Sequence, residues 1–195
     1  MAIRVTIAPT EEPVTLQEVK EHCRIDLNDD DLLLTGLIRA ARDYCESFTG
    51  RAFVNRVLRY SLNEWPSGGI YLPRPPTIEV LSVEYRLEDA ALPYTDFLDF
   101  DIDTTGVFAK IVPDDTWPDG DLHPSNAINI EFTAGYDGAA NVPEIFKSAI
   151  KLCVGSWYEN REGVLPAGHI GRELPMGVNS LLWTHRVFWT EDLNK

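Results

Sequence analysis

The chain has 195 residues, of which 44% are hydrophobic, and its formal net charge at pH 7 is −14. This length and composition are typical of one domain, or of a core with one insertion, that buries a substantial apolar interior. The negative charge argues against binding DNA or RNA regardless of sequence, because such binding depends on Lys and Arg side chains that neutralise phosphates. It argues equally against docking on anionic lipid. An acidic surface is compatible with a passage along which polyanions slide, and also with simple solubility.

The cysteines and the N-terminal segment indicate a cytoplasmic product. Cys23, Cys45 and Cys153 each fall in a predicted helix, where a small apolar residue would also fit. Their odd number and the lack of CxxC spacing predict reduced, buried thiols. The N-terminal segment has no signal-peptide pattern, and no segment approaches the roughly 20 apolar residues of a membrane span.

The first predicted elements are an extended segment and two helices. Residues 3–8 form a short strand or an extended arm. Thr15 and Glu18 have the spacing of a capping box, which opens a short helix. A longer helix follows the acidic turn 28–31 and ends at Gly50, so that the two helices form a hairpin. The predicted buried side of this second helix comprises Leu32, Leu33, Leu34, Leu37, Ile38, Ala41, Tyr44, Cys45 and Phe48, and its predicted solvent side comprises Arg39, Arg42, Asp43 and Glu46.

A β region of about 80 residues follows, and its alternating apolar residues predict mostly antiparallel strands. The predicted strands begin near Arg56, at Ile70–Leu72, at Ile78–Leu87, twice within 92–112, and at Ile128–Thr133. The turns between them are marked by Gly, Pro and Asp.

The chain then returns to helix. Residues 141–162 carry apolar side chains at the i, i+3, i+4, i+7 spacing of a helix with one broad buried face. Asn141 is the predicted N-cap and Gly163 the predicted stop. After a loop over 163–177, a short helix begins near Val178. The fold class is therefore α+β: a helical core (helical hairpin, long central helix and short C-terminal helix) in residues 1–53 and 137–195, with an inserted antiparallel β region in 54–136.

Residues that could carry chemistry are not arranged for it. The four histidines are scattered, and residues 168–173 lack the strand, turn and Lys-Ser/Thr of a phosphate loop. Asp29, Asp30 and Asp31 lack the ligand spacing of an EF-hand and are more simply explained as partners of the helix N-terminus. A small metal-dependent enzyme that uses these three acids and a histidine stays open as an alternative. The alternating acids Asp96, Asp99, Asp101 and Asp103 are typical of the solvent face of a strand. We therefore expect no catalytic, cofactor-binding or metal-binding residues, and an interaction protein.

The order of segments along the chain resembles the head–tail connector (adaptor) proteins of long-tailed bacteriophages and of related gene transfer agents. Six segments in this order and spacing carry the resemblance, and the part between Leu87 and Asn126 resembles the family least. The segments are VTLQEVKEHCRID (14–26), DDDLLLTGLIRAARDYCESFTGRAF (29–53), IYLPRPPTIEVLSVEY (70–85), NAINIEFTAGY (126–136), VPEIFKSAIKLCVGSWYENRE (142–162) and LPMGVNSLLWTHR (174–186).

The resemblance implies a structural protein of a virion or phage-like particle rather than an enzyme. Such proteins form a ring, typically of twelve copies, beneath the portal protein, extend the DNA channel without sequence-specific DNA binding, and dock the next neck protein, the stopper. A C-terminal segment of these proteins commonly contacts the portal, which makes Val187, Phe188 and Trp189 the candidate docking residues by position. The open alternatives are another neck component, such as a stopper or tail-completion protein, and a monomeric regulator with the same core.

Overall fold

In the computed structural model, described over residues 2–88, 94–160 and 176–194, the chain forms two compact units. The helical unit comprises Glu11–Val54 and Gly138–Val187, and the β unit comprises Met1–Thr10, Asn55–Asp137 and Phe188–Lys195. The sequence places both terminal segments in the helical core. The structure differs here, because the N-terminal segment pairs with a strand of the β unit and the C-terminal segment hydrogen-bonds to that unit.

The described part of the helical unit contains four α-helices: α1 (Leu16–Cys23), α2 (Asp31–Thr49), α3 (Glu144–Glu159) and α4 (Met176–Trp183). The predicted capping box opens α1. The Thr15 backbone N–H donates to Glu18 Oε2 at 2.6 Å, and the Glu18 N–H donates to Thr15 Oγ1 at 3.2 Å. Gly50 ends α2 with a left-handed backbone conformation (φ 73°), which glycine adopts without steric cost.

The central helix α3 is shorter than the sequence indicates. Asn141, the predicted N-cap, lies in a short 3-10 helix (Ala139–Asn141), and Pro143 occupies the cap position. The helix ends at Glu159, and the predicted stop at Gly163 lies outside the described residues. Of the helices that the structure describes, none combines the length and apolar character needed to cross a membrane.

The core of the helical unit lies where α2 and α3 pack together. Phe53 and Phe146 stack with their ring centroids 4.4 Å apart. The prediction for α2 was wrong at the N-terminal end of its apolar stripe. Leu32 is 87% exposed and Leu33 is 39% exposed, because periodicity defines a stripe but not how far neighbouring segments cover it.

Two charged residues of α2 that the sequence places in solvent are buried. Arg42 and Glu46 are 7% and 3% exposed. Arg42 Nε binds Glu12 Oε2 at 2.7 Å, and Glu46 Oε1 accepts a 2.7 Å hydrogen bond from the Phe53 backbone N–H. Burial opposes the charge of Arg42, but its hydrogen bond to Glu12 and the nearby carboxylates raise its pKa above the ordinary value. The burial of Arg42 and Glu46 is tolerated because each charged group has a partner that offsets the cost of removing it from water.

The described β unit contains eight strands, all paired antiparallel. They are β1 (Ala2–Ile7), β2 (Arg56–Leu62), β3 (Ile70–Tyr71), β4 (Thr77–Tyr85), β5 (Thr95–Asp96), β6 (Phe100–Asp103), β7 (Lys110–Pro113) and β8 (Ile128–Ala134). They form a five-stranded sheet in the order β1-β2-β8-β4-β5 and a three-stranded sheet in the order β3-β7-β6. The α+β class predicted from the sequence is confirmed.

One face of the larger sheet is apolar across several strands. Opposite one another in register stand Ile3, Tyr60, Ile130 and Val83, one from each of β1, β2, β8 and β4. Residues paired in this way lie on the same face of a sheet. The three inner members are at most 2% exposed, whereas Ile3 on the edge strand is 42% exposed. The buried face therefore reaches solvent at β1.

Candidate interaction surfaces

The C-terminal segment is anchored to the β unit through Asn194, which is 6% exposed. Its Oδ1 accepts a 2.7 Å hydrogen bond from the Tyr71 backbone N–H, and its Nδ2 donates to the Tyr71 carbonyl at 3.0 Å. Nδ2 also donates to Tyr60 Oη at 3.1 Å. These three hydrogen bonds satisfy the buried amide of Asn194 and hold the C-terminal segment on strand β3.

The two aromatic residues that the sequence proposes for docking have different surroundings. Trp189 makes edge-to-face contacts with Tyr60 and Phe108, at centroid distances of 6.0 and 5.3 Å. Phe188 is 64% exposed. Trp189 therefore contributes to packing within the β unit, and Phe188 presents apolar area to solvent.

Val187, the third proposed residue, belongs to the helical unit. Its backbone N–H donates to the Thr49 carbonyl at 2.8 Å. A Cβ added at Gly50 would stand 2.8 Å from the Val187 carbonyl oxygen, so the glycine is required for this close approach. Val187 is fixed at the C-terminal end of α2.

A second exposed apolar surface lies on the edge strand β1. Ile3, Val5 and Ile7 are 42%, 50% and 59% exposed. Between Ile3 and Val5, Arg4 lies on the opposite face, where its register partner is Arg59. A register shift after Val5 pairs Ile7 with Val57, which lies on the same face of β2 as Arg59. Arg59 itself binds Glu131 Oε1 at 2.7 Å. The alternation of apolar residues in 3–7 is typical of a half-buried strand, so it does not predict that all three apolar side chains are exposed.

An acidic surface lies on the segment that runs from β5 to β6. Asp96, Asp99, Asp101 and Asp103 are all exposed, as the sequence predicts for a solvent face. Asp103 accepts hydrogen bonds from the Thr105 side chain and backbone, which lower its pKa. Apolar side chains stand among these acids: Leu98, Ile102 and Val107 are 81%, 40% and 57% exposed.

The acidic turn between α1 and α2 is engaged in contacts within the helical unit. Asp31 Oδ1 accepts from Lys20 Nζ at 2.8 Å, and Asp30 Oδ2 accepts from Tyr158 Oη at 2.5 Å. A shallow cavity of about 390 Å³ lies beside this turn. Within the three described ranges, no group of three or more His, Cys, Asp or Glu side chains could hold a metal ion.

The cysteines are free thiols, and two of the histidines contact other side chains of their own unit. Cys45 and Cys153 are buried and Cys23 is half-buried, and all three are free thiols. A hydrogen bond with Cys153, together with burial, raises the pKa of the Cys45 thiol. His123 Nδ1 lies 2.6 Å from Arg86 Nη2, and His185 packs edge-to-face on Phe146. His169 and the segment 168–173 lie outside the described residues.

Comparison with known proteins gives this arrangement a context. Residues 13–89 match the family model of phage gp6-like head-tail connector proteins. The resemblance to head–tail connectors inferred from the sequence is thereby confirmed over this part of the chain. No curated protein sequence matches the chain.

Solved structures extend the similarity to nearly the whole chain. One match is a chain in the neck of an empty GTA particle computed with C6 symmetry, with 24% identity, a TM-score of 0.79 and 97% coverage of both chains. A chain of the virion of a native gene transfer agent (GTA) particle matches with 21% identity, a TM-score of 0.80 and the same coverage. A chain in the neck of a native GTA particle computed with C12 symmetry matches with 23% identity, a TM-score of 0.76 and the same coverage. At these identities the matches establish the fold that the chain shares with proteins of GTA particles.

Proposed function

We propose that this protein is a structural head–tail connector in the neck of a phage or gene-transfer-agent particle. The observation that carries the proposal is the similarity over 97% of both chains to a GTA neck protein, together with the connector family match at residues 13–89. In this role the protein acts by burying interface area between subunits. The role requires no catalytic residue, cofactor or metal.

The protein acts as a homo-oligomeric ring of twelve copies. The support is that two similar chains belong to necks computed with C6 and C12 symmetry. The ring lies beneath the portal protein, extends the DNA channel and offers its far side to the next neck protein. A net charge of −14 suits a channel wall, because like charge repels the DNA phosphates and keeps the passing duplex from binding.

The portal contact is made by Val187, Phe188 and Trp189, with unequal contributions. Phe188, at 64% exposure, has apolar area left to bury against a partner. Trp189 and Val187 hold the segment in place, the first through Tyr60 and Phe108 and the second through Thr49. An exposed aromatic residue on an anchored segment is the kind of side chain that carries binding energy at protein interfaces.

The experiment is native mass spectrometry of the protein alone, of the portal protein from the same gene cluster, and of their mixture. We expect a discrete complex in which a ring of this protein is bound to the portal ring. A mixture in which the two proteins stay separate would refute the connector role and favour a stopper or tail-completion protein. Substitution of Phe188 is preferable to deleting the segment, because deletion also removes Trp189 and Asn194, which pack within the β unit.

A further inference from the structure

The β unit exposes two different surfaces that are complementary in charge and in apolar character. The first, which we call the β1 edge, comprises Ile3, Arg4, Val5 and Ile7. The second, which we call the acidic edge, comprises Asp96, Leu98, Asp99, Asp101 and Ile102. We propose that the β1 edge of one copy docks on the acidic edge of the next copy, which makes this contact the subunit interface of the ring. The inference rests on the proposed function, since it names the contact by which the connector ring forms.

The two surfaces lie on different edge strands of the β unit. Strands β1 and β5 are the two edges of the five-stranded sheet, and β6 is an edge of the smaller sheet. Four strand spacings of about 4.8 Å separate β1 from β5 by about 19 Å. A ring of identical subunits requires two different, mutually complementary surfaces on each copy. The two surfaces meet this requirement, because one lies on β1 and the other on β5, β6 and the segment between them.

The β1 edge leaves apolar area and backbone groups available to a partner. Ile3 continues a register row whose inner members, Tyr60 and Ile130, are 2% and 0% exposed, yet Ile3 itself is 42% exposed. Within the described residues β1 pairs with β2 alone, so its outer backbone edge faces solvent. Exposed strand edges of this kind readily pair with another chain.

The charges of the two surfaces are opposite. On the polar face of β1, Arg4 stands opposite Arg59, and Arg59 already binds Glu131 at 2.7 Å. The row formed by Arg4, Arg59 and Glu131 therefore carries two positive charges and one negative charge, a net charge of +1, although the whole chain has a net charge of −14. The acidic edge supplies exposed carboxylates from Asp99 and Asp101. The apolar parts also match, because Leu98 and Ile102 are 81% and 40% exposed.

The test uses two variants, each of which disables one surface. Arg4→Ser/Val5→Ser disables the β1 edge, and Asp99→Lys/Asp101→Lys disables the acidic edge. We expect the wild type to form rings, alone or on the portal, and each variant to lose them. An equimolar mixture of the two variants should give a heterodimer and no ring, because each copy retains one intact surface. Arg39→Ser and Asp26→Lys/Asp29→Lys make the same charge changes on exposed residues of the helical unit, and these variants should assemble like the wild type.

The measurements are sedimentation velocity and native mass spectrometry, with and without the portal protein, after circular dichroism has shown that each variant is folded. The inference is overturned if either variant forms rings like the wild type, if the mixture yields no heterodimer, or if the wild type forms no ring in either setting. Portal binding is a separate readout. Wild-type rings that do not bind the portal would refute the connector role and leave this interface supported. Portal-bound rings of either variant would refute this interface and leave the connector role supported.

Discussion

The side chain of Asn194 is bonded on both sides to the backbone of Tyr71, accepting from its N–H at 2.7 Å and donating to its carbonyl at 3.0 Å. Within its sheet, β3 pairs only with β7 among the described strands. The Asn194 amide therefore bonds to backbone groups of β3 as a neighbouring strand would. This bond pair fixes the segment that carries Phe188.

Replacing Asn194 by Ala should destabilise the β unit. The change leaves the backbone groups of Tyr71 and the Tyr60 hydroxyl without their present partner, which costs about 1–3 kcal/mol for a buried unsatisfied group. Urea denaturation measures this loss of unfolding free energy. Asn160→Ala is the matched control, because Asn160 is exposed and its Nδ2 donates to the Ser156 carbonyl at the end of α3. Equal stability of the two variants would contradict the anchoring role.

Replacing Phe188 by Ser should weaken portal binding without a comparable loss of stability. A central aromatic contact contributes about 2 kcal/mol or more at protein interfaces, which corresponds to a roughly 30-fold rise in Kd. The measurement is the Kd for the portal, together with the melting temperature. Trp183→Ser is the control, because Trp183 is 60% exposed and Phe188 is 64% exposed. If both substitutions weaken binding equally, the effect is not specific to the C-terminal segment.

Replacing Arg42 by Met should cost about 3–5 kcal/mol of unfolding free energy, because the buried carboxylate of Glu46 would lose its cation and Glu12 would lose its 2.7 Å partner. Arg39→Met should change stability by less than about 0.5 kcal/mol, since it lies on the exposed side of the same helix. Chemical denaturation measures both. Combining Arg42→Met with Glu46→Gln should recover part of the loss, and a double variant less stable than Arg42→Met would contradict the explanation.

The capping box predicts a pH dependence of stability. Hydrogen bonds from the backbone and side chain of Thr15 lower the pKa of Glu18 below its ordinary value of 4.5. A lowered pKa in the folded state contributes stability above the unfolded-state pKa, and this contribution is lost as the pH falls through the folded-state pKa. Glu18→Gln, which keeps the side-chain shape, should be less stable than the wild type at neutral pH. The difference should vanish in acid, as thermal denaturation across this range would measure. A difference that is unchanged in acid would rule out the ionised carboxylate as its cause.

Local signals in the sequence were enough to predict the elements themselves. The capping box at Thr15 and Glu18, the end of α2 at Gly50 and the strand beginning at Arg56 depend on interactions within a few residues, and each is present in the structure. Alternation of apolar residues also identified β8. Hydrogen bonds between near neighbours and side-chain periodicity are properties of the sequence, so they can be predicted from it.

Burial depended on residues that are distant in the chain. Leu32 is exposed although it follows the apolar pattern, and Arg42 is buried although it breaks that pattern, because Glu12 approaches it across 30 positions of sequence. The two aromatic residues near the C-terminus are similar in sequence, but Tyr60 and Phe108 cover Trp189 while Phe188 stays mostly exposed. The sequence by itself thus determined the helices and most of the strands in their order, but it did not indicate the two-residue strand β5. Only the tertiary structure decided which side chains are available to a partner, because availability depends on what the rest of the chain covers.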